Sequence, residues 1–511
     1  MALIETQHEL DQPILVLRDE MLAGRFFGAA HAGVPESLAA FLTDTSGAGL
    51  TLWFGPRAAS LAGDRRALRS TLDRDLVALD DMISAMLDEI LHHPRLQKLE
   101  GSWRGLHWLA NQIEAGGRIK LRALPLTWAE ICRDLERAPE FDQSQLFRRV
   151  YEDEFGIAGG EPYGLLVMDY EVRHRPGPGA LTDDVSALAS LSAIAAAAFS
   201  PMIFSPAAAL FGVDNLGELS GVADPASGFN ALDYQRWRSL AGREDMRFIA
   251  VAMPRLAARS PWREEMIAQR GFRYNEQCDD GADRVWFAAG YAVAYAVGRA
   301  FQSHGWPADI RGYEADRVGG GLVESEIDER FSIDPAEGVG RFAPEVALTD
   351  GQERALVEAG LMPLAALLWG GEVVLAAARS LQAPKRYTGP RGDGASANAR
   401  LSAQFSTMIC VARFAHFVKV MGRDMVGAFR TAEEIQRKLR EWLLRYANAN
   451  RSAGADQRAR YPLLAADVTV SETPGKPGVY GCVIQLQPHF QLDDISASFR
   501  LVTELATPGG R

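Results

Sequence analysis

The sharpest hydrophobic pattern in the chain lies between Arg65 and Leu91. Leu72, Leu76, Leu79, Ile83, Met86 and Ile90 recur at alternating spacings of four and three, which sets them in one row along a long amphipathic helix. His92, His93 and Pro94 end that helix. A second one is predicted beyond them, with Leu96, Leu99, Trp103, Leu106 and Ala110 on one face. The two form a helical hairpin, and its row can pack on its own domain or on a partner.

Phe141 to Val172 carries a second dense set of signals. Asp142 is an expected N-cap with Gln145 closing its box, and Phe141 and Leu146 stand at the positions of a hydrophobic staple. Leu146, Phe147, Val150 and Tyr151 share a helical face; Gly156, Gly159, Gly160 and Pro162 stop the helix and turn the chain. Leu165 to Val172 then reads as a strand. From 120 to 380 helical and strand-like stretches alternate. Strands are expected at Arg247 to Met253 and Glu345 to Leu348, and helices at Thr182 to Phe199, capped by Thr182, and at Val285 to Gln302. Pro384 and Tyr387 to Ala397 read as a linker or exposed loop.

Near the C-terminus a helix is expected around Leu401 to Met421. The next is capped by Thr431 and Glu434, with Ile435, Leu439, Trp442 and Tyr446 facing inward. Strands follow at Ala466 to Ser471 and Val479 to Gln487. In the last strand Ile495, Ala497, Phe499 and Leu501 alternate with polar residues, which gives an antiparallel meander with one apolar face. Such a terminal strand offers an edge to another chain. Residues 1–64 read as a glycine-broken N-terminal arm whose best helix is Leu15 to Phe27, with Leu15, Leu22 and Phe26 near one face and available to a partner. The division that results is an arm at 1–64, a main domain at 65–382 and a C-terminal domain at 383–511. The fold class is α/β (mixed α+β): a mixed sheet with packed helices, followed by the meander.

Length supports this division, because 511 residues exceed the usual size of a single core. A net charge of -12 argues against a general nucleic-acid binder. Cys132, Cys278, Cys410 and Cys482 are widely spaced, form no CxxC pair and suggest buried thiols in a reducing compartment, with no zinc site. Met1 to Leu10 lacks the basic and apolar regions of a signal peptide. The apolar run Val185 to Phe204 is interrupted by serines and reads as a buried helix, not a membrane span. A cytoplasmic location is therefore expected.

Catalytic signatures are missing: there is no Walker A loop, GxGxxG, HExxH or GxSxG. Gly319, Gly320 and Gly321 lack the lysine of a phosphate loop and read as a flexible turn. Adjacent His92 and His93 diverge by about a hundred degrees on a helix and cannot readily chelate together. Glu152, Asp153 and Glu154, with Asp169, are the carboxylates that invite an acid–base reading, but consecutive carboxylates more often form a solvated or ion-paired face. Arg391-Gly392-Asp393 is read as a turn. Trp103, Trp108, Trp237 and Trp286 are expected in the core, and Arg238, Arg243 and Arg255 in an ion network near Asp245. No catalytic residue, cofactor or metal is expected. A cytoplasmic α/β enzyme without a recognised motif is the alternative reading.

Phe141 to Val172 closely resembles the large subunit of the type VI secretion contractile sheath, the TssC/VipB family (also called EvpB/ImpC-ImpD), in its helix, its Gly-Gly-Glu-Pro-Tyr-Gly turn and its Asp-Tyr-Glu strand. The resemblance extends through LHHPRLQKLEGSWRGLHWL at 91–109, YQRWRSL at 234–240, PEVALTD at 344–350, SANARLSAQ at 396–404, RFAHFVKV at 413–420, PGKPGVY at 474–480 and QPHFQLDDISASFRLV at 487–502. It implies a tail-sheath-like fold and a structural role without catalysis. It also implies pairing with the small sheath subunit, with further copies of the chain, around an inner tube of hexamers on a baseplate. Contraction would drive the tube outward, and an AAA+ unfoldase would recycle the sheath by gripping an N-terminal helix. Strands exchanged between chains would link subunits, which assigns Ile495, Ala497, Phe499 and Leu501 to that link. The family's short Arg-Gly-Val-Glu-Gly-Gly-Gly run departs here to RGYEADRVGGG, with an apparent insertion at Ala315 to Val318.

Overall fold

The computed structural model describes residues 16–26, 31–113, 117–155, 157, 159–263, 272–278, 281–313, 319–324, 344–367, 372–389, 392–426, 431–472, 480–489 and 499–505. The chain divides into two units, Met1–Leu96 with Pro261–Asp279, and Gln97–Ser260 with Asp280–Arg511.

In the first unit, short helices α1 (Leu17–Leu22), α2 (Gly33–Thr43), α3 (Gly49–Phe54) and α4 (Ala58–Ala62) precede α5 (Arg65–Leu91). Asp64 starts α5 by accepting from the Arg66 and Ala67 N–H groups. Leu17, Val34, Trp53, Phe54 and Ala58 form a small core onto which Leu68 and Leu79 of α5 pack. Asp75 is buried on α5, where the Arg18 guanidinium and the Trp53 indole N–H both donate to it, the latter at 2.9 Å. That pairing keeps the buried carboxylate satisfied and fastens α1 and α3 to α5.

In the second unit, α6 (Pro94–Gln112), α7 (Trp128–Arg137), α8 (Gln145–Phe147), a π turn (Arg148–Glu152) and α9 (Asp153–Phe155) lead into β1 (Leu166–Val172). Then come α10 (Asp184–Ala198), β2 (Met202–Pro206), α11 (Gln235–Ala241) and β3 (Ile249–Met253), followed by β4 (Leu256–Ala257), β5 (Trp286–Phe287), α12 (Ala289–His304), β6 (Leu322–Val323), α13 (Asp350–Glu358), β7 (Met362–Pro363), β8 (Ala365–Ala366) and β9 (Val373–Val374). The chain closes with α14 (Gly392–Ser402), α15 (Phe405–Val426), α16 (Ala432–Leu444), α17 (Ala455–Arg460), β10 (Leu463–Glu472), β11 (Tyr480–Pro488) and β12 (Phe499–Leu505).

The central sheet has the order β1-β2-β3-β7, and all its pairings are parallel. Every residue of β2 and β3 is buried, as a sheet covered on both faces requires. Met202, Phe204, Ile249, Val251 and Met253 join the core under α10, while Ile203, Ala250 and Ala252 alternate into the core under α12. Gly290 lets α12 approach closely, since a Cβ there would meet Val167 at 3.1 Å. The α/β (mixed α+β) class expected from the sequence is the one observed. A second sheet, β10-β11-β12, is antiparallel. Val468, Val470, Cys482, Ile484 and Leu486 face Phe414, Ile435, Leu439 and Leu443 in its core. Trp442 and Tyr446 pack against this core, so α16 presents the face expected of it. The apolar stretch Phe405–Gly422 of α15 is long enough to cross a membrane, yet 72% of it is buried inside the protein, as a core helix would be.

Several expectations need correction. Asp142 does not cap a helix: Ser144 does, accepting from Phe147 N–H at 3.1 Å, while Asp134 of α7 accepts from Gln145 and Leu146 N–H. A carboxylate from a neighbouring helix has taken the role assigned to a local side chain. Phe141 stacks edge-on against Phe147 rather than stapling Leu146. Asp183, not Thr182, caps α10. Glu345 to Leu348 is not a strand; Glu345 instead holds Arg255. The expected loop Tyr387 to Ala397 is helical from Gly392 onward. On α6 the buried face is Gly101, Gly105 and Leu109, whereas Leu99 and Trp103 are exposed. A Cβ on Gly101 would sit 2.1 Å from the Trp286 carbonyl oxygen, so absent side chains, not apolar ones, mark the packed face. The run Gly319 to Gly321 is a tight backbone crossing: Gly320 has φ +61°, and Gly321 exchanges hydrogen bonds with Gly312 and Leu375. Ala315 to Val318, Gly156 and Arg391 lie outside the described residues.

Candidate functional site

Of the carboxylates that invited a catalytic reading, Glu152 is exposed, and Asp153, Glu154 and Asp169 have structural partners. Asp153 pairs with Arg149 one turn away at 3.2 Å. Glu154 is buried, bonded to Arg122 and accepting from Glu161 N–H at 2.7 Å. A Cβ on Gly160 would lie 2.1 Å from the Glu154 carbonyl, so the Gly-Gly-Glu-Pro-Tyr-Gly turn folds back on the helix end where only glycine fits. On β1, Asp169 accepts from Lys98 at 3.1 Å and from the Tyr291 hydroxyl at 3.2 Å. Beside it Glu171 lies 3.4 Å from Arg255, which also grips Glu345 with two nitrogens. Burial of Arg255 opposes its charge, but the Glu345 hydrogen bonds together with the negative charges of Glu345, Glu171 and Asp169 outweigh it and raise its pKa. Of the other arginines grouped with it by sequence, Arg243 pairs with Asp245, and Arg238 donates to the Phe229 and Ala231 carbonyls.

Two sequence motifs meet at α15. Lys419 places its ammonium 5.0–5.1 Å from the ring centres of Tyr151, Phe155 and Phe199, an aromatic cage for a cation. Burial lowers its pKa to about 8. Phe199 sits in the left-handed region at φ 49°, an uncommon state for a bulky residue that closes α10 and turns its ring toward the cage. One turn before Lys419, His416 is buried and donates from Nε2 to the Ala198 carbonyl at 2.9 Å. Desolvation pushes its pKa down to about 4. This junction joins the α7–α10 region to the C-terminal helices.

What the molecule offers outward is apolar surface. Along α5 only Leu79 of the predicted row packs inward; Leu72, Leu76, Ile83, Met86 and Ile90 are 37–59% exposed. Trp103 on α6 is 62% exposed, against the expectation of a core tryptophan, whereas Trp237 and Trp286 are buried and Trp108 stacks on Phe287. The strand β12 lies at the edge of its sheet, with Phe499 opposite Leu486 and Leu501 opposite Ile484. Ile495 and Ala497 lie outside the described residues, as does Leu15. Leu22 is half-buried at the end of α1, and Phe26 packs on the small core. The residue that anchors α1 is Leu17, which the proposed face omitted; its fit depends on α3 and α5, distant in sequence.

Comparison with known proteins decides what kind of molecule carries these surfaces. Residues 73–382 match the family model described as EvpB/VC_A0108, tail sheath N-terminal domain. Residues 394–505 match EvpB/VC_A0108, tail sheath gpW/gp25-like domain. The chain belongs to the type VI secretion tail-sheath family. It is 35% identical over 441 residues to the type VI secretion system sheath protein TssC1 of Pseudomonas aeruginosa, covering 85% of this chain and 86% of that one. A sheath tail protein of Desulfitobacterium hafniense aligns in structure over 64% of this chain and 61% of its own, at 10% identity and a TM-score of 0.29. A superposition that loose adds nothing to the assignment. As a member of this family the protein is a structural subunit of a contractile sheath, and the enzyme reading has no support. The exposed α5 row and the Phe141 to Val172 block both lie inside the tail-sheath match or at its border.

Proposed function

We propose that the chain co-assembles with the small sheath subunit, and with further copies of itself, into a helical tube around an inner tube of hexamers seated on a baseplate. Contraction of this tube would propel effectors outward. The observation that carries the reading is the α5 row: a run of large apolar side chains left half-exposed along a well-formed helix is a surface that awaits a partner helix. The edge strand β12 supplies the second contact, with Ile495, Ala497, Phe499 and Leu501 forming the link between chains. Leu15, Leu22 and Phe26 form a lesser N-terminal contact, open to an AAA+ unfoldase. In this reading residues 1–64 act as the contact arm, 65–382 as the main sheath domain and 383–511 as the linking domain. The assembly works in the cytoplasm without catalysis, cofactor, nucleic acid or membrane insertion. Its energy is stored in two alternative packings of the same subunits.

Co-expression with the small subunit should yield long tubes under the electron microscope. Deleting residues from Ile495 onward should abolish tubes while leaving a folded heterodimer. Tubes formed by the truncated chain would remove the terminal strand from the linkage, and failure of the intact pair to polymerise across salt and pH would remove the assembly itself.

A further inference from the structure

Two segments far apart in sequence bring three side chains together within the first unit. His92 stands at the C-cap of α5, and Glu276 and Cys278 lie on the extended segment 272–278. His92 Nε2 is 3.2 Å from Glu276 Oε1 and 4.0 Å from Cys278 Sγ, and one donor atom from each residue falls within 4.8 Å of the others. We propose that these three residues hold a divalent transition metal, and the mixed nitrogen, oxygen and sulfur donors favour zinc.

The spacing fits that ion. Bonds of about 2.0 Å to nitrogen and oxygen and about 2.3 Å to sulfur, at tetrahedral angles, put N and O about 3.3 Å apart and N and S about 3.6 Å apart. The His92–Glu276 separation of 3.2 Å already meets the first value, while the thiol has to close in from 4.0 Å on His92. The donors are also held in place. Glu276 is buried, and its Oε2 accepts from Trp262 N–H at 2.8 Å while its own N–H donates to the Trp262 carbonyl at 2.9 Å, which leaves Oε1 turned toward His92. The Tyr274 hydroxyl donates to Asp88 Oδ1 at 2.6 Å, one helical turn before His92, and fastens the segment along α5. Contacts of this kind orient metal ligands in known sites. His92 and Cys278 remain partly accessible, so an ion can enter.

The other three thiols are poor competitors. Burial pushes the pKa of Cys132 and Cys410 up to about 12 and that of Cys482 up to about 11, and each sits in an apolar core. Metal binding at Cys278 would form the thiolate–metal bond and release the thiol proton to solvent. The site would then join the end of α5 to a segment more than a hundred residues away, in a unit whose apolar core is small. This inference does not depend on the sheath assembly.

The test is a Co2+ titration of the full chain in metal-free buffer, followed by displacement with Zn2+. Stoichiometric binding with tetrahedral visible bands and a thiolate-to-cobalt charge-transfer band is expected. Cys278→Ser should remove the charge-transfer band, and His92→Gln should weaken binding by about tenfold or more. Glu276→Gln disturbs a buried group, so Cys278→Ser, whose side chain is partly exposed, is the deciding variant, with far-UV circular dichroism as the control for folding. A natively folded chain without a thiolate band, or one whose zinc affinity survives Cys278→Ser unchanged, overturns the proposal and leaves an ordinary hydrogen-bonded cluster.

Discussion

Replacing Leu76, Met86 and Ile90 together by glutamine isolates the exposed row from the fold beneath it. These side chains are 59, 54 and 56% exposed. Full burial of each would stabilise by about 2 kcal/mol, so covering the exposed half on docking adds at most about 1 kcal/mol per residue, or about 3 kcal/mol for the set. At about 1.4 kcal/mol per decade, each contact should weaken about a hundredfold. Glutamine keeps nearly the helix propensity of leucine and methionine, and its stem retains part of the half-buried contact. The isolated chain should therefore melt within about a few degrees of wild type. The assay pairs thermal melting of the purified subunits with electron-microscopic counts of tubes after co-expression. Unaltered melting with few or no tubes is expected. Tubes at wild-type number would show that the row is surface only. A large drop in melting temperature would show that it packs within the subunit.

Gly101→Ala tests the close approach on α6. Within a helix this change usually gains about 1 kcal/mol, but here the new Cβ would stand 2.1 Å from a backbone oxygen. Overpacking of about 1–3 kcal/mol should win, and denaturant titration should show net destabilisation. Lys419→Ala empties the aromatic cage and should cost about 2 kcal/mol by the same titration, with Lys419→Arg recovering part of it. His416 is neutral when buried, with a pKa near 4 against 6.5 when exposed. Its contribution is thus complete above pH 6.5 and is lost as pH falls toward 4, because only the unfolded chain takes up the proton. Melting across that window should fall less steeply in His416→Gln, and parallel slopes would assign the pH dependence to other groups.

Much of the local structure was written in local signals. The helices α5, α10 and α16, the strands β1, β10 and β11, and the inward face Ile435, Leu439 and Trp442 all follow from periodicity and turn chemistry that neighbouring residues settle among themselves. The tail-sheath family was legible too, since its motifs are contiguous strings in a fixed order. Which apolar face is covered was not. The α5 row and the Gly101–Gly105 face of α6 show why: hydrophobicity marks a surface fit for burial, but contact also needs a partner and room to approach.

The same limit holds for the polar groups. By itself the sequence determined the elements, the α/β class and the sheath family, because these rest on spacing along the chain. Tertiary structure alone decided that Asp134 caps a helix belonging to another segment, and that Lys419 meets rings from Tyr151, Phe155 and Phe199. It also brought His92 beside Glu276 and Cys278. Such contacts join residues tens to hundreds of positions apart. Their geometry is set by the packing of whole elements, which the spacing of any one stretch does not encode.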